Sequence, residues 1–120
     1  MPVLKNTKTR GNFGESYAAN LLQKKGYQIL TRNFQSHFGE IDIIALDNDV
    51  LVFVEVKTRF NSKFGLPEEA VTPWKIRRIT KTADYYCLLH QGLSKKKRIE
   101  VVAIQFVNNQ IERVKHIKVV

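Results

Sequence analysis

Ten residues, VLVFVEVKTR at positions 50–59, constrain this chain more than any other feature. The run is too continuously apolar for a strand with one wet face, and strands covered on both faces read in this way. It is expected to sit centrally in a sheet, with other elements packed above and below. Glu55 and Lys57 interrupt it. Side chains alternate along a strand, so these two share one face, two positions apart at ~3.3 Å per residue. Their charged heads can reach a common point just beyond that end of the strand.

The preceding stretch, GEIDIIAL, carries Asp42 among Ile41, Ile43, Ile44 and Ala45. Aspartate is poorly suited to a strand interior and costly to bury unpaired. The turn cluster Asp47-Asn48-Asp49 is short enough to imply an antiparallel hairpin. Such a hairpin sets residue i opposite a residue near 96 − i, so Asp42 falls opposite about residue 54. A one-residue shift in turn geometry brings Glu55 beside it. Two carboxylates that close repel each other unless a cation sits between them. Oxygen ligands in this arrangement suit Mg²⁺ or Mn²⁺, which bind through one or two carboxylates together with water and phosphate. Lys57 then serves to position a water or to stabilise charge developing on a phosphate.

Glu15 is a fourth candidate. At about 100° per residue it lies near 20° from Leu22, on the edge of a helix's apolar face, from which it can lean toward the sheet. Glu40 shares a strand face with Asp42. The structural alternatives are an ordinary ion pair for Glu55 and Lys57, and a macrodipole-stabilising acid for Glu15.

Around this centre the chain reads as α-β-β-β-α-β-β, an α/β domain with a mixed central sheet of about five strands flanked by helices. Residues 1–11 read as a flexible basic arm and 12–120 as the domain. Asn12 caps a helix over Phe13 to Lys25, which Gly26 stops. Residues 27–34 form a strand, Glu40 to Leu46 a second and Val50 to Arg59 a third. Phe60 to Thr72, with Asn61, Ser62, Gly65 and Pro67, reads as a loop. Thr72-Pro73 starts a second helix that runs to about His90, with Trp74, Ile76, Ile79, Ala83, Tyr86 and Cys87 mostly inward. Ser94 to Arg98 is a basic connector. Ile99 to Val107 and Gln110 to Val119 are the last strands, joined by an Asn108-Asn109 turn.

Composition narrows the function class. One cysteine excludes an intrachain disulfide, and three scattered histidines exclude a zinc cluster. No apolar run approaches the ~20 residues of a membrane helix, and the N-terminus lacks a signal-peptide core. A cytoplasmic protein without a membrane partner is expected. Twenty Lys and Arg against eleven Asp and Glu give a net charge of +9, which favours a polyanionic partner, above all nucleic acid.

At this point the residues resemble a known pattern. Asp42 followed by Glu55-Val56-Lys57 resembles the PD-(D/E)XK nuclease signature, with Ile41 standing where its proline would be. Five ordered motifs, RGNFGESYAANLL, GEIDIIA, FVEVKTR, AVTPWKIRR and RIEVVAI, resemble the UPF0102 (YraN) family from Arg10 to about Ile104. The resemblance implies a restriction-endonuclease-like fold similar to that of archaeal Holliday-junction resolvases. It implies Asp42, Glu55 and Glu15 as metal-site carboxylates, Lys57 as the catalytic lysine, and Mg²⁺ (or Mn²⁺) as cofactor. A homodimer would match the two scissile strands of a four-way junction.

The function expected is a metal-dependent endonuclease acting on DNA, selective for junctions, flaps or other branched forms. The alternative is a non-catalytic nucleic-acid-binding module that retains the nuclease fold. Phosphate contacts are expected from Arg59, Lys63, Lys75, Arg77, Arg78 and Lys81, with the run Lys95 to Arg98 as a further basic patch, so binding should fall with salt. No recognition helix or zinc finger is present to read sequence. Tyr85, Tyr86 and Trp74 read as core or edge residues rather than base-stacking platforms, His37 as a solvated loop residue, and Cys87 as a small buried apolar group.

Overall fold

In the computed structural model, which describes residues 7–61, 63, 65–93 and 96–119, the apolar run is the third and central strand of a five-stranded sheet. The elements are α1 (Thr7–Lys24), β1 (Gln28–Ser36), β2 (Gly39–Asp47), β3 (Val50–Arg59), α2 (Pro73–Leu89), β4 (Lys97–Val107) and β5 (Gln110–Lys118). Spatial order follows chain order. Every neighbouring pair is antiparallel except β3 and β4, which run parallel because α2 carries the chain back between them.

Both faces of β3 are covered, which accounts for its composition. Val50, Val52, Val54 and Val56 pack with Ala18 and Leu22 of α1, while Leu51 and Phe53 pack with Ile79, Ala83 and Tyr86 of α2. The charged residues of β3 therefore fall on the α2 side, while Thr58 faces α1.

Local signals fix the helix ends. Gly26 adopts φ +95°, a left-handed conformation that costs glycine little, and closes α1 with two reversed hydrogen bonds. Its N–H donates to the Gln23 carbonyl at 3.0 Å, and that of Tyr27 to the Leu22 carbonyl at 3.0 Å, the pattern of a Schellman stop. At the start of α2, Thr72 Oγ1 accepts from the Lys75 N–H at 3.2 Å and Pro73 occupies the first turn, as expected.

Several bounds differ from the sequence expectation: β1 runs on to Ser36, and β4 begins at Lys97, inside the stretch read as a basic connector. Helix α1 begins at Thr7 rather than after Asn12, so it takes in residues 7–11 of the stretch read as an arm; residues 1–6 lie outside the described residues. The segment 60–72, read as a loop, contains a 3-10 turn at Pro67–Ala70, which Glu68 ties to Arg113 of β5 at 2.5 Å.

Gly14 marks where α1 presses closest on the sheet. A Cβ built there would lie 2.4 Å from Thr58 Cγ2. Alanine in place of a helical glycine ordinarily adds ~1 kcal/mol of stability. Here Gly14→Ala is expected to lose about 1–3 kcal/mol in urea unfolding through overpacking. Adding Thr58→Ser, which removes the obstructing methyl, should restore most of it. A single variant as stable as the wild type would refute the close approach.

Candidate functional site

The hairpin register is Asp47↔Val50 through Ile43↔Val54, one residue beyond the simplest expectation, and its continuation sets Asp42 opposite Glu55. The two strands part there, and the Asp42 side chain takes over from the ladder. Its Oδ2 accepts the Val56 N–H at 2.8 Å. Asp42 and Glu55 both line a cleft of about 290 Å³ between the sheet and the first turns of α2. Gly39 and Glu40 form one wall, and Trp74, Lys75, Arg78 and Ile79 the other.

Glu55 is 6% exposed, and Lys75 Nζ meets its Oε1 at 3.0 Å. Burial, then the charge of Glu55, push the Asp42 carboxyl up to about 7, against the opposing hydrogen bond from Val56. Lys57 lies on the same strand face as Glu55 two residues further on. Burial, then the positive charges of Lys75 and Arg59, hold its ammonium below the usual lysine range.

Glu15 stands on α1, outside the residues that line the cleft. Burial raises its pKa against the opposing charge of Arg32, and Glu40 and Glu55 add to the rise. Its Oε1 is buried without a hydrogen-bond partner, and the Arg32 guanidinium is 3.8 Å away.

These residues fit a hard divalent cation that keeps part of its water. Three acids, Glu40, Asp42 and Glu55, face one cleft, a lysine ammonium already sits where positive charge is needed, and Glu15, whose buried Oε1 accepts no hydrogen bond, is close enough to feel the charges of Glu40 and Glu55. Among the described residues no group of three or more Asp, Glu, His or Cys side chains is placed to hold a metal ion together.

The basic residues divide. Lys75 and Arg78 line the cleft, Arg59 continues the Glu55–Lys57 face, and Arg77 and Lys81 are exposed on α2. Lys63 is exposed in the 60–72 segment. The KKKR run does not join them. Lys97 pairs in register with Leu51, whereas Glu55 pairs with Val101, about 13 Å further along the strand. Acids also engage the run: Lys96 meets Asp49 at 2.8 Å, Lys97 meets Asp84 at 2.6 Å and Arg98 meets Asp47 at 2.7 Å. Lys95 lies outside the described residues.

Trp74 corrects another expectation: instead of pointing inward it is 58% exposed at the cleft mouth. Tyr86 is core as expected, and Cys87 packs beside it. His37 does not line the cleft and packs on Phe38, with ring centroids 4.0 Å apart.

A second polar cluster was not anticipated. Glu100 of β4 is fully buried and accepts from Tyr27 Oη at 3.0 Å and Arg98 Nε at 2.5 Å, with His116 Nε2 at 2.5 Å. Burial works against the charge of Arg98, but hydrogen bonds to Asp47 and Glu100 outweigh it and hold the guanidinium pKa above its usual range. The available signal was of the same kind as Glu55, a lone acid inside the apolar strand IEVVAIQF.

Sequence comparison places this geometry among relatives. The profile described as "Uncharacterised protein family UPF0102" matches residues 14–104. A UPF0102 protein of Persephonella marina is 44% identical over 107 residues, covering 89% of this chain and 90% of the relative. One from Lachnoclostridium phytofermentans is 55% identical over 86 residues, covering 72% and 73%. One from Caldicellulosiruptor saccharolyticus is 41% identical over 114 residues, covering 94% and 97%.

Proposed function

We propose that this chain, which belongs to the UPF0102 family, is a metal-dependent endonuclease-like protein of the cytoplasm that hydrolyses phosphodiesters in branched DNA. The observation that carries the reading is the meeting of Asp42 and Glu55 in one cleft, with Lys57 on the same face and Lys75 and Arg78 on the facing wall. The D…ExK spacing and its nuclease-like fold resemblance support the same conclusion.

Asp42 and Glu55 would hold Mg²⁺ or Mn²⁺, with Glu15 behind them. A bound metal of this kind supplies Lewis acidity toward a phosphate oxygen and lowers the pKa of a coordinated water. Lys57 donates to the phosphate oxygens, on which charge builds as the bond breaks. Its depressed pKa follows from the burial that also strengthens this interaction. Lys75, Arg78 and Arg59 bind the flanking phosphates, and the net charge of +9 draws the strand in. A homodimer would give the two cuts that a four-way junction requires.

The test is cleavage of four-way and flapped DNA with Mg²⁺ or Mn²⁺, compared with EDTA. Wild type should cut and Asp42→Ala should not; equal cutting by both would assign the activity to a contaminant. One observation favours a second reading, a non-catalytic DNA-binding module: Lys75 already neutralises Glu55. That reading expects salt-sensitive binding without hydrolysis, and little loss of binding in Glu55→Ala.

No helix among the described residues is long and apolar enough to cross a membrane, and the reading requires no membrane partner.

A further inference from the structure

Trp74 is exposed where its size argues for burial. A tryptophan carries a large apolar surface that folding normally buries, yet this one is 58% exposed beside two carboxylates and a lysine. Its position is also fixed. Pro73 and the Thr72 cap set the backbone of the turn that bears it. The Arg78 guanidinium lies 4.9 Å from the ring centroid, and Arg78 Nε donates to the Phe38 carbonyl at 3.2 Å. The ring is thus held against a cation that is itself pinned to the β1–β2 turn, while much of the indole meets solvent.

A flat π-face fixed at the mouth of a cleft whose facing wall carries Lys75 and Arg78 suits one class of ligand. Nucleobases stack on such faces whatever their identity, with ~1–3 kcal/mol per base, while neighbouring cations take the phosphates. A continuous duplex offers no free base face, because each base is already stacked on its neighbours. We propose that Trp74 is a stacking platform for an unpaired nucleotide of DNA, seated so that the adjoining phosphate lies over Asp42 and Glu55. The inference rests on the function proposed above and deepens it. Selectivity for branched or single-stranded substrate comes from one side chain that reads unpairing.

Trp74 is the sole tryptophan, so its emission reports directly on the platform. The experiment titrates the full chain in EDTA with a twelve-residue oligothymidylate and with a dumbbell duplex of similar phosphate number whose ends are closed by hexaethylene glycol linkers, so that it has neither frayed ends nor unpaired loop bases. Emission is followed for the wild type, and anisotropy of labelled DNA for the wild type, Trp74→Ala and Trp74→Phe. The single strand should quench emission to saturation and the dumbbell only slightly. Trp74→Ala should bind the single strand roughly 5- to 150-fold more weakly, the fold-change equivalent of losing one stacked base, and the dumbbell within about twofold of wild type. Trp74→Phe, which retains a ring, should keep most of the affinity. Single-strand binding that leaves emission unchanged, or that Trp74→Ala matches, overturns the platform alone. Quenching by a protein that never cuts DNA overturns the nuclease reading and upholds the platform. Failure to bind either DNA, both in EDTA and with Ca²⁺ present in place of Mg²⁺, overturns both.

Discussion

Asp42→Asn is expected to stabilise the fold at pH 8 while abolishing metal-dependent cleavage. Burial and Glu55 raise the Asp42 carboxyl from 3.8 to about 7 in the folded chain. Below pH ~4 the folded and unfolded forms both carry the proton, and the group's contribution to stability is fully present. As pH rises, the unfolded chain releases that proton first, so the contribution is lost progressively until the folded form ionises near 7. At 1.36 kcal/mol per pKa unit, the loss by pH 8 is on the order of 4 kcal/mol. Asparagine has the same shape, keeps an oxygen for the Val56 N–H and carries no charge to repel Glu55. In urea unfolding the variant should match the wild type near pH 4 and exceed it by about 2–4 kcal/mol at pH 8. Cleavage should fall at least a hundredfold, roughly the scale of removing one preorganised charge-stabilising group. A divalent ion at a hundred times its Kd should add ~2.7 kcal/mol to the wild type and far less to the variant. A pH-independent difference between the two proteins would show that Asp42 is not strained by its neighbours.

That strain is what made the site legible. A strand buried on both faces has no use for an acid, so Asp42 and Glu55 stood out in the sequence, and the short turn at Asn48-Asp49 put them within reach of each other. The order of elements along the chain followed from the same periodicity, the end of α1 from Gly26 and the start of α2 from Thr72-Pro73. What periodicity does not carry is pairing across elements. Lys75 meets Glu55 only because α2 returns over the sheet, and the KKKR run lies at the wrong end because β4 runs parallel to β3 in a particular register. Trp74 was misread for a related reason. In a sequence an aromatic residue near the start of a helix reads as core, but the first turn of α2 borders the cleft, where Trp74 meets solvent.

Glu100→Ala should have the opposite signature, a large loss of stability with chemistry intact. Glu100 lies on β4 in register with Val54, but its partners Tyr27 and His116 place it toward the α1 side of the sheet, away from the cleft. It is fully buried, and removing it takes away the acceptor of Tyr27 Oη and of Arg98 Nε. Arg98 would keep Asp47 at 2.7 Å but lose its other acid. Deleting one member of a buried, hydrogen-bonded charge cluster costs about 3–5 kcal/mol, here because Tyr27 Oη and Arg98 Nε lose their acceptor even though Arg98 Nη2 keeps Asp47. That is a large share of the 5–15 kcal/mol typical of a domain, so the variant should unfold at markedly lower urea. Glu100→Gln, which keeps an acceptor oxygen, should lose less than the alanine variant. Under conditions where Glu100→Ala remains folded, its DNA affinity and its cleavage per folded molecule should stay within about twofold of wild type, since the cluster and the cleft lie on opposite faces of the sheet and share no partner. Loss of cleavage out of proportion to unfolding would place Glu100 in the reaction; stability within ~1 kcal/mol of wild type would show that the cluster contributes little to the fold.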